Sequence, residues 1–163
     1  MSGIRIRKRK RLRQRDVKSL REELEAAVGN PVFGDDDNVD VAEAGDLGLI
    51  IVDNEIVGLV HGDKPFLSIK GVMKYGASKR HVTVDMGAVP FVTNGADIMG
   101  PGIVDCDPSI EEGDLVWIRD ENHAVALAIG VALRPAAEIA LKKGGKAVAS
   151  LHNVGDRLWK VDD

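Results

Sequence analysis

Apolar residues along this chain recur with two different periods, and the switches between them mark out its elements. Val17, Leu20, Leu24 and Val28 share one helical face, with Asp16 placed to cap the start and Gly29, Asn30 and Pro31 to end it, so a helix over 16–28 is predicted. From Val39 the spacing becomes that of extended chain. Strands at 39–42, 47–52 and 56–60, with Asp53-Asn54-Glu55 turning between the last two, read as a meander. A turn at 62–65 then leads to a short strand at 66–69 and one helical turn at 71–75.

Beyond the polar, basic junction Ser78-Lys79-Arg80 the pattern restarts. It predicts a strand at 81–85, a short helix at 88–92 closed by Thr93, Asn94 and Gly95, and a strand at 103–106. Strands at 114–119 and 124–133 follow, joined by the turn 120–122; the second is apolar on both faces, as a strand inside a compact barrel can be. A helix at 135–143, begun by Pro135 and ended by Gly144-Gly145, is placed to plug that barrel, and 147–151 and 157–161 supply the last strands. The expectation is two domains, 1–78 and 79–163, the second a small, mostly β barrel with two helices.

Charge changes the picture because it is unevenly spread. The net charge is −4, yet residues 1–30 hold ten Lys or Arg against four Asp or Glu, a surplus of +6, while 31–163 hold twelve against twenty-two, a deficit of −10. A basic arm on an acidic body argues for a local, oriented contact with a polyanion rather than general affinity. The arm is the segment 4–15, IRIRKRKRLRQR, with eight basic residues in twelve. Ile4, Ile6 and Leu12 at even spacing suit a strand with an apolar face and an arginine face. RNA backbone contact, a plain solvated strand or tail, and a cellular address all remain open readings of such a run. No apolar run reaches the roughly 18 residues of a membrane span, and no apolar stretch follows the basic start, so a cytoplasmic protein without a membrane partner is expected. The one cysteine, Cys106, falls in a predicted strand and reads as a buried, inert thiol.

The segment 95–103, GADIMGPGI, packs three glycines and a proline among apolar residues and carries no catalytic group. A helix end, a glycine-rich turn and a strand in succession can leave amides unpaired where a backbone or phosphate approaches; an ordinary tight turn is the plainer reading. It matches no nucleotide fingerprint: there is no G-x-x-x-x-G-K-[ST], and Asp105 occupies the third-glycine position after Gly100 and Gly102. Asp85 reads as a turn cap, the loop 34–38 (GDDDN) lacks the alternation of a calcium site, and His61, His81, His123 and His152 lack ligand spacing. No metal, no small-molecule cofactor and no catalytic residue is expected.

A family resemblance rests on HVTVDMGAVPFVTNGADIMGPGIVDCDPSIEEGDLVWIRDENHAVALAIGVAL, followed by AAEIALKKGGKAV and RLWKV. This stretch resembles a PUA domain, the RNA-binding module named for pseudouridine synthases and archaeosine transglycosylases, most specifically in NGADIMGPGI and EEGDLVWI. The N-terminal half is similar to the pre-PUA domain of stand-alone archaeal PUA proteins and of the eukaryotic reinitiation and ribosome-recycling factors related to them. The resemblance implies an α+β fold: a small mixed α/β pre-PUA domain at 1–78, then a PUA pseudo-barrel at 79–163, mostly β with two short helices.

It also implies where RNA lies. Ala88, Phe91, Val92, Thr93, Asn94 and Gly95 on the helix, Ala96, Met99, Pro101, Gly102 and Ile103 on the turn and strand, and Val148 and Leu151 on the last strand would form the surface, with glycine amides on phosphates and Ala96 leaving room for a base or ribose. Arg5, Arg7, Arg9 and Arg11 of the arm and Arg80 at the junction would add backbone contacts. With only six aromatic residues in the chain, shape and backbone recognition is expected to outweigh base stacking. The expected function is non-catalytic binding of tRNA, rRNA or the ribosome in translation initiation or recycling, alongside the small subunit or a translation factor. The alternatives are a subunit or remnant of an RNA-modification enzyme, of the pseudouridine synthase or transglycosylase type, and an adaptor that meets a protein instead.

Overall fold

The computed structural model describes residues 4–161. The chain divides into two compact units: Lys79–Trp159 forms one, and the chain up to Ser78, with the residues from Lys160 on, forms the other.

In the first unit, β1 (Arg7–Arg11), β2 (Val39–Ala44), β3 (Leu47–Val52), β4 (Glu55–His61) and β5 (Lys64–Leu67) pair antiparallel in chain order. Two helices accompany them, α1 (Gln14–Val28) and α2 (Ile69–Tyr75). The apolar face of α1 closes the core as its spacing predicts: Val17, Leu24 and Val28 are buried, and Gly29 ends the helix in the left-handed region, φ 79°, its N–H donating to the Glu25 carbonyl. The start differs. Arg13 holds the cap position without a side-chain bond, and Asp16 lies inside the first turn, where its carboxylate complements the positive end of the helix.

Two further expectations are corrected here. The alternating strand expected from Ile4, Ile6 and Leu12 is not the one that forms: β1 contains only basic, exposed residues, the two isoleucines precede it and Leu12 follows it to pack on the core. Lys8 takes a positive φ of 55° and the register slips between Arg7 and Lys10, so no strict two-residue alternation runs through the strand. The turn before β5 is only Gly62-Asp63, because Lys64 already pairs with His61, and Ile69 opens α2 rather than ending a strand. Ser68 makes that switch by accepting the Gly71 N–H on its hydroxyl.

The second unit contains β6 (His81–Val84), α3 (Val89–Thr93), β7 (Ile98–Met99), β8 (Ile103–Cys106), β9 (Leu115–Asp120), β10 (Ala126–Ala132), α4 (Ala136–Ile139) and β11 (Lys146–Asn153). Its strands form one curled sheet in the order β7-β11-β10-β9-β6-β8, with β6 and β9 parallel and the other pairs antiparallel. The half-barrel closes on Val82, Val84, Val92, Ile98, Ile103, Val116, Ile118, Ala128, Ile139 and Val148. β10 is buried along almost its whole length, as its two apolar faces demand. The helix predicted to run to Lys143 stops at Ile139; Lys142 has φ 53°, and Arg134 donates to the carbonyls of Lys143 and Gly144, so the segment is a clamped loop. The strand predicted at 157–161 is instead a turn, in which Asp156 accepts the Trp159 N–H.

Buried carboxylates hold the turns of this unit. Asp120 is 6% exposed and accepts the amides of Asn122, His123 and Val125, bonds that hold its carboxyl below the ordinary range. Asp120→Ala leaves those amides without their acceptor and is expected to cost about 2 kcal/mol in urea denaturation. Asp40 and Asp97 are lowered as well, the first chiefly by the Arg11 hydrogen bond and the second by the Ser150 amide. A depressed folded-state value contributes stability above the unfolded carboxylate pKa of roughly 3.9 and loses it as pH falls through the folded value. The denaturation midpoint is therefore expected to drop steeply below about pH 4; a flat acid profile would contradict these assignments.

Candidate nucleic-acid interface

The glycine-rich segment is built by short-range hydrogen bonding. Asp85 caps the turn into α3 by accepting the Ala88 N–H, and Pro90 sits in the helix's first turn. α3 ends when Gly95 takes φ 93° and donates to the Val92 carbonyl, while Ala96 donates to Phe91. Asn153 on β11 donates its side-chain amide to the Thr93 carbonyl and holds the helix end to the sheet. The two residues of β7 pair with β11, Ile98 opposite Val148 and Met99 opposite Lys146, and Gly100–Gly102 makes one 3₁₀ turn into β8.

These elements surround an open groove of about 530 Å³ lined by Ala88, Phe91, Ala96, Ile98, Met99, Pro101 and Gly102, with Asp85, Asp97 and Lys146 also lining it. Its apolar character is exposed rather than hidden: Phe91 is 68% and Met99 47% accessible. Asp97 accepts the Ser150 N–H and lies 3.0 Å from the Lys146 ammonium, so the floor carries a paired charge.

The structure brings together most of the surface expected on the barrel, with differences in what each residue offers. Ala88, Phe91, Ala96, Met99, Pro101 and Gly102 face the groove, and Asn94 and Gly95 are exposed beside it. Thr93 turns its hydroxyl back to the Val89 and Pro90 carbonyls. Val92 is buried in the core yet lines the groove, Ile103 and Val148 are buried in the core and do not line it, and Leu151 is half-buried on β11. For Gly95 and Gly100 the expectation of unpaired amides for phosphate is corrected: Gly95 donates to Val92 and Gly100 to Gly145, so these two glycines make a tight turn and a close approach.

Arg80 is not among the lining residues. Its guanidinium donates to the Leu115 carbonyl and lies 3.7 Å from Asp114, and its left-handed backbone, φ 66°, marks it as a structural pin. Cys106 is half-buried on β8, where burial raises its thiol pKa, the character of an unreactive cysteine.

On the first unit the arm divides by function. Arg9 and Arg11 both donate to Asp40, and Arg9 also reaches Asn54, fastening β1 to β2. Lys8 lies 3.8 Å from Glu43. Arg5, Arg7 and Lys10 are exposed and lack an ion pair among the described residues. Charge reversal at Arg7 and Lys10 is therefore expected to flatten the salt dependence of RNA affinity by roughly 0.9 per lost phosphate contact without loss of stability, read by anisotropy and thermal melts. Reversal at Arg9 and Arg11 is expected to lower the melting temperature too.

Sequence reading missed Asp97, Lys146 and the loop residues Lys142 and Lys143. The run KKGGK was visible, but only the β7–β11 register and the Arg134 clamp place it beside the glycine turn.

Comparison with known proteins gives a consistent set. The PUA domain family profile matches residues 80–154. An uncharacterized protein of Methanocaldococcus jannaschii is 40% identical over 156 residues, covering 94% of this chain and 96% of that protein. Translation machinery-associated protein 20 of Saccharomyces cerevisiae is 36% identical over 117 residues, 68% of this chain and 65% of that protein, so the match spans about two thirds of the yeast relative. The crystal structure of a hypothetical protein from Pyrococcus horikoshii OT3 superposes with a TM-score of 0.81 at 32% identity, covering 94% of this chain and 98% of that one.

Proposed function

This chain belongs to the PUA-domain family, an RNA-binding family with relatives in the translation machinery, and on that premise we propose that it is a non-catalytic cytoplasmic protein that holds the single-stranded end of a structured RNA. A tRNA acceptor terminus or an exposed rRNA end fits this role, in initiation or ribosome recycling and in company with the small subunit or a translation factor. The first unit, residues up to Ser78, acts as a pre-PUA module, and the second, Lys79–Trp159, as the PUA module.

The observation that carries the reading is an open, apolar groove with a single exposed aromatic, Phe91, on its wall. Unpaired bases expose faces that duplexes hide, and such faces pair with an aromatic ring and small apolar walls. One aromatic supports one stacked base, so Phe91→Ala is expected to weaken binding by about thirtyfold, the middle of the roughly 1–3 kcal/mol range for a stack.

The test is incubation with bulk tRNA and with methyl or guanine donors. Gel retardation without product supports the binder; turnover would establish a modification enzyme, and absence of retardation would favour an adaptor that meets protein.

A further inference from the structure

Phosphates that flank a base in the groove must lie somewhere, and the groove itself repels them. Two of its lining residues are carboxylates, Asp85 and Asp97, and the one cation among them, Lys146, is already paired with Asp97. The amides of Gly95 and Gly100 are likewise engaged, by the Val92 and Gly145 carbonyls.

A different cationic element abuts the turn. In the loop between α4 and β11 the Gly145 carbonyl accepts the Gly100 N–H, and the Lys143 carbonyl lies so close that a Cβ on Gly100 would come within 2.1 Å of it. Arg134 grips the same loop through the carbonyls of Lys143 and Gly144. Lys142 and Lys143 are exposed and have no ion pair among the described residues. A loop pinned at both the glycine turn and Arg134 leaves these two side chains with little backbone entropy to lose, and Lys142 also lines a second cavity with Ile103, Asp105 and Cys106.

We propose that Lys142 and Lys143 form a phosphodiester-binding lip: the groove takes the base and ribose of an unpaired nucleotide, and the lysine loop neutralises the backbone phosphates of the strand that delivers it. This rests on the RNA-binding reading above. It explains why Gly100 has no side chain, since any Cβ would push the lip off the turn.

The test is fluorescence anisotropy of the full chain with a labelled RNA hairpin bearing a single-stranded 3′ overhang, titrated at several salt concentrations. K142Q/K143Q is expected to flatten the slope of log K against log salt by about 1.4, two single-strand phosphates at roughly 0.7 each. Gly102→Leu is expected to lower affinity while leaving that slope unchanged. An unaltered slope in K142Q/K143Q, with RNA still bound and thermal melts matching the parent, overturns the lip alone. Failure of the parent protein to bind the hairpin at any salt overturns the RNA-binding reading, and the lip with it.

Discussion

Gly102→Leu is expected to weaken RNA binding by about 100-fold, more than any other single change in the second unit, while the fold persists. Gly102 does not occupy the left-handed region, and a Cβ there would meet only the Ala88 methyl at 3.3 Å, a contact relieved by a few tenths of an ångström. The rest of a leucine side chain would fill the space between Ala88, Phe91 and Pro101, so a base loses both its stacking surface and its apolar walls, about 2.7 kcal/mol in all. Gly95 makes a poorer test, because its φ of 93° strains any substituent and would mix folding with binding. Anisotropy with the overhang hairpin reads the loss; parent-like affinity would move the site away from this groove.

Gly71→Ala is expected to produce the largest stability loss, about 3 kcal/mol, without touching the groove. Gly71 lies in the first turn of α2, where the helix crosses β4, and a Cβ there would come 1.9 Å from the Val57 carbonyl oxygen. That oxygen already accepts the Ser68 N–H, so relief requires α2 to lift off the sheet or the cap to break. A urea midpoint unchanged from the parent would show that α2 packs otherwise.

What was legible in the chain follows the range of the forces involved. α1 and the β2–β4 meander came from periodicity and from Gly29, signals contained within a few residues. The resemblance located the barrel, in which the tight sequence of helix, glycine turn and strand reappears as α3, Gly95 to Gly102 and β8. The errors share a different cause. Alternating isoleucines suggested a two-faced β1, but Asp40 on β2, some thirty residues away, decides which arginines are fastened.

Likewise the helix predicted through Lys143 has adequate local propensity; it is cut short by Arg134 donating to the Lys143 and Gly144 carbonyls and by the Gly100 N–H donating to that of Gly145, a tertiary override of propensity. Whether an N–H of the glycine turn is free depends on partners such as Gly145, which accepts from Gly100 and lies far along the chain. The place of the 142–145 loop beside the glycine turn depends on that same contact.

The most direct test of the central claim is mapping backbone amide shifts of the isotope-labelled chain during titration with the overhang hairpin. The account predicts perturbations concentrated at residues 88–102 and 142–151, saturating together. Shifts that leave both segments still while RNA is bound, or that gather on the barrel's far strands alone, would contradict it.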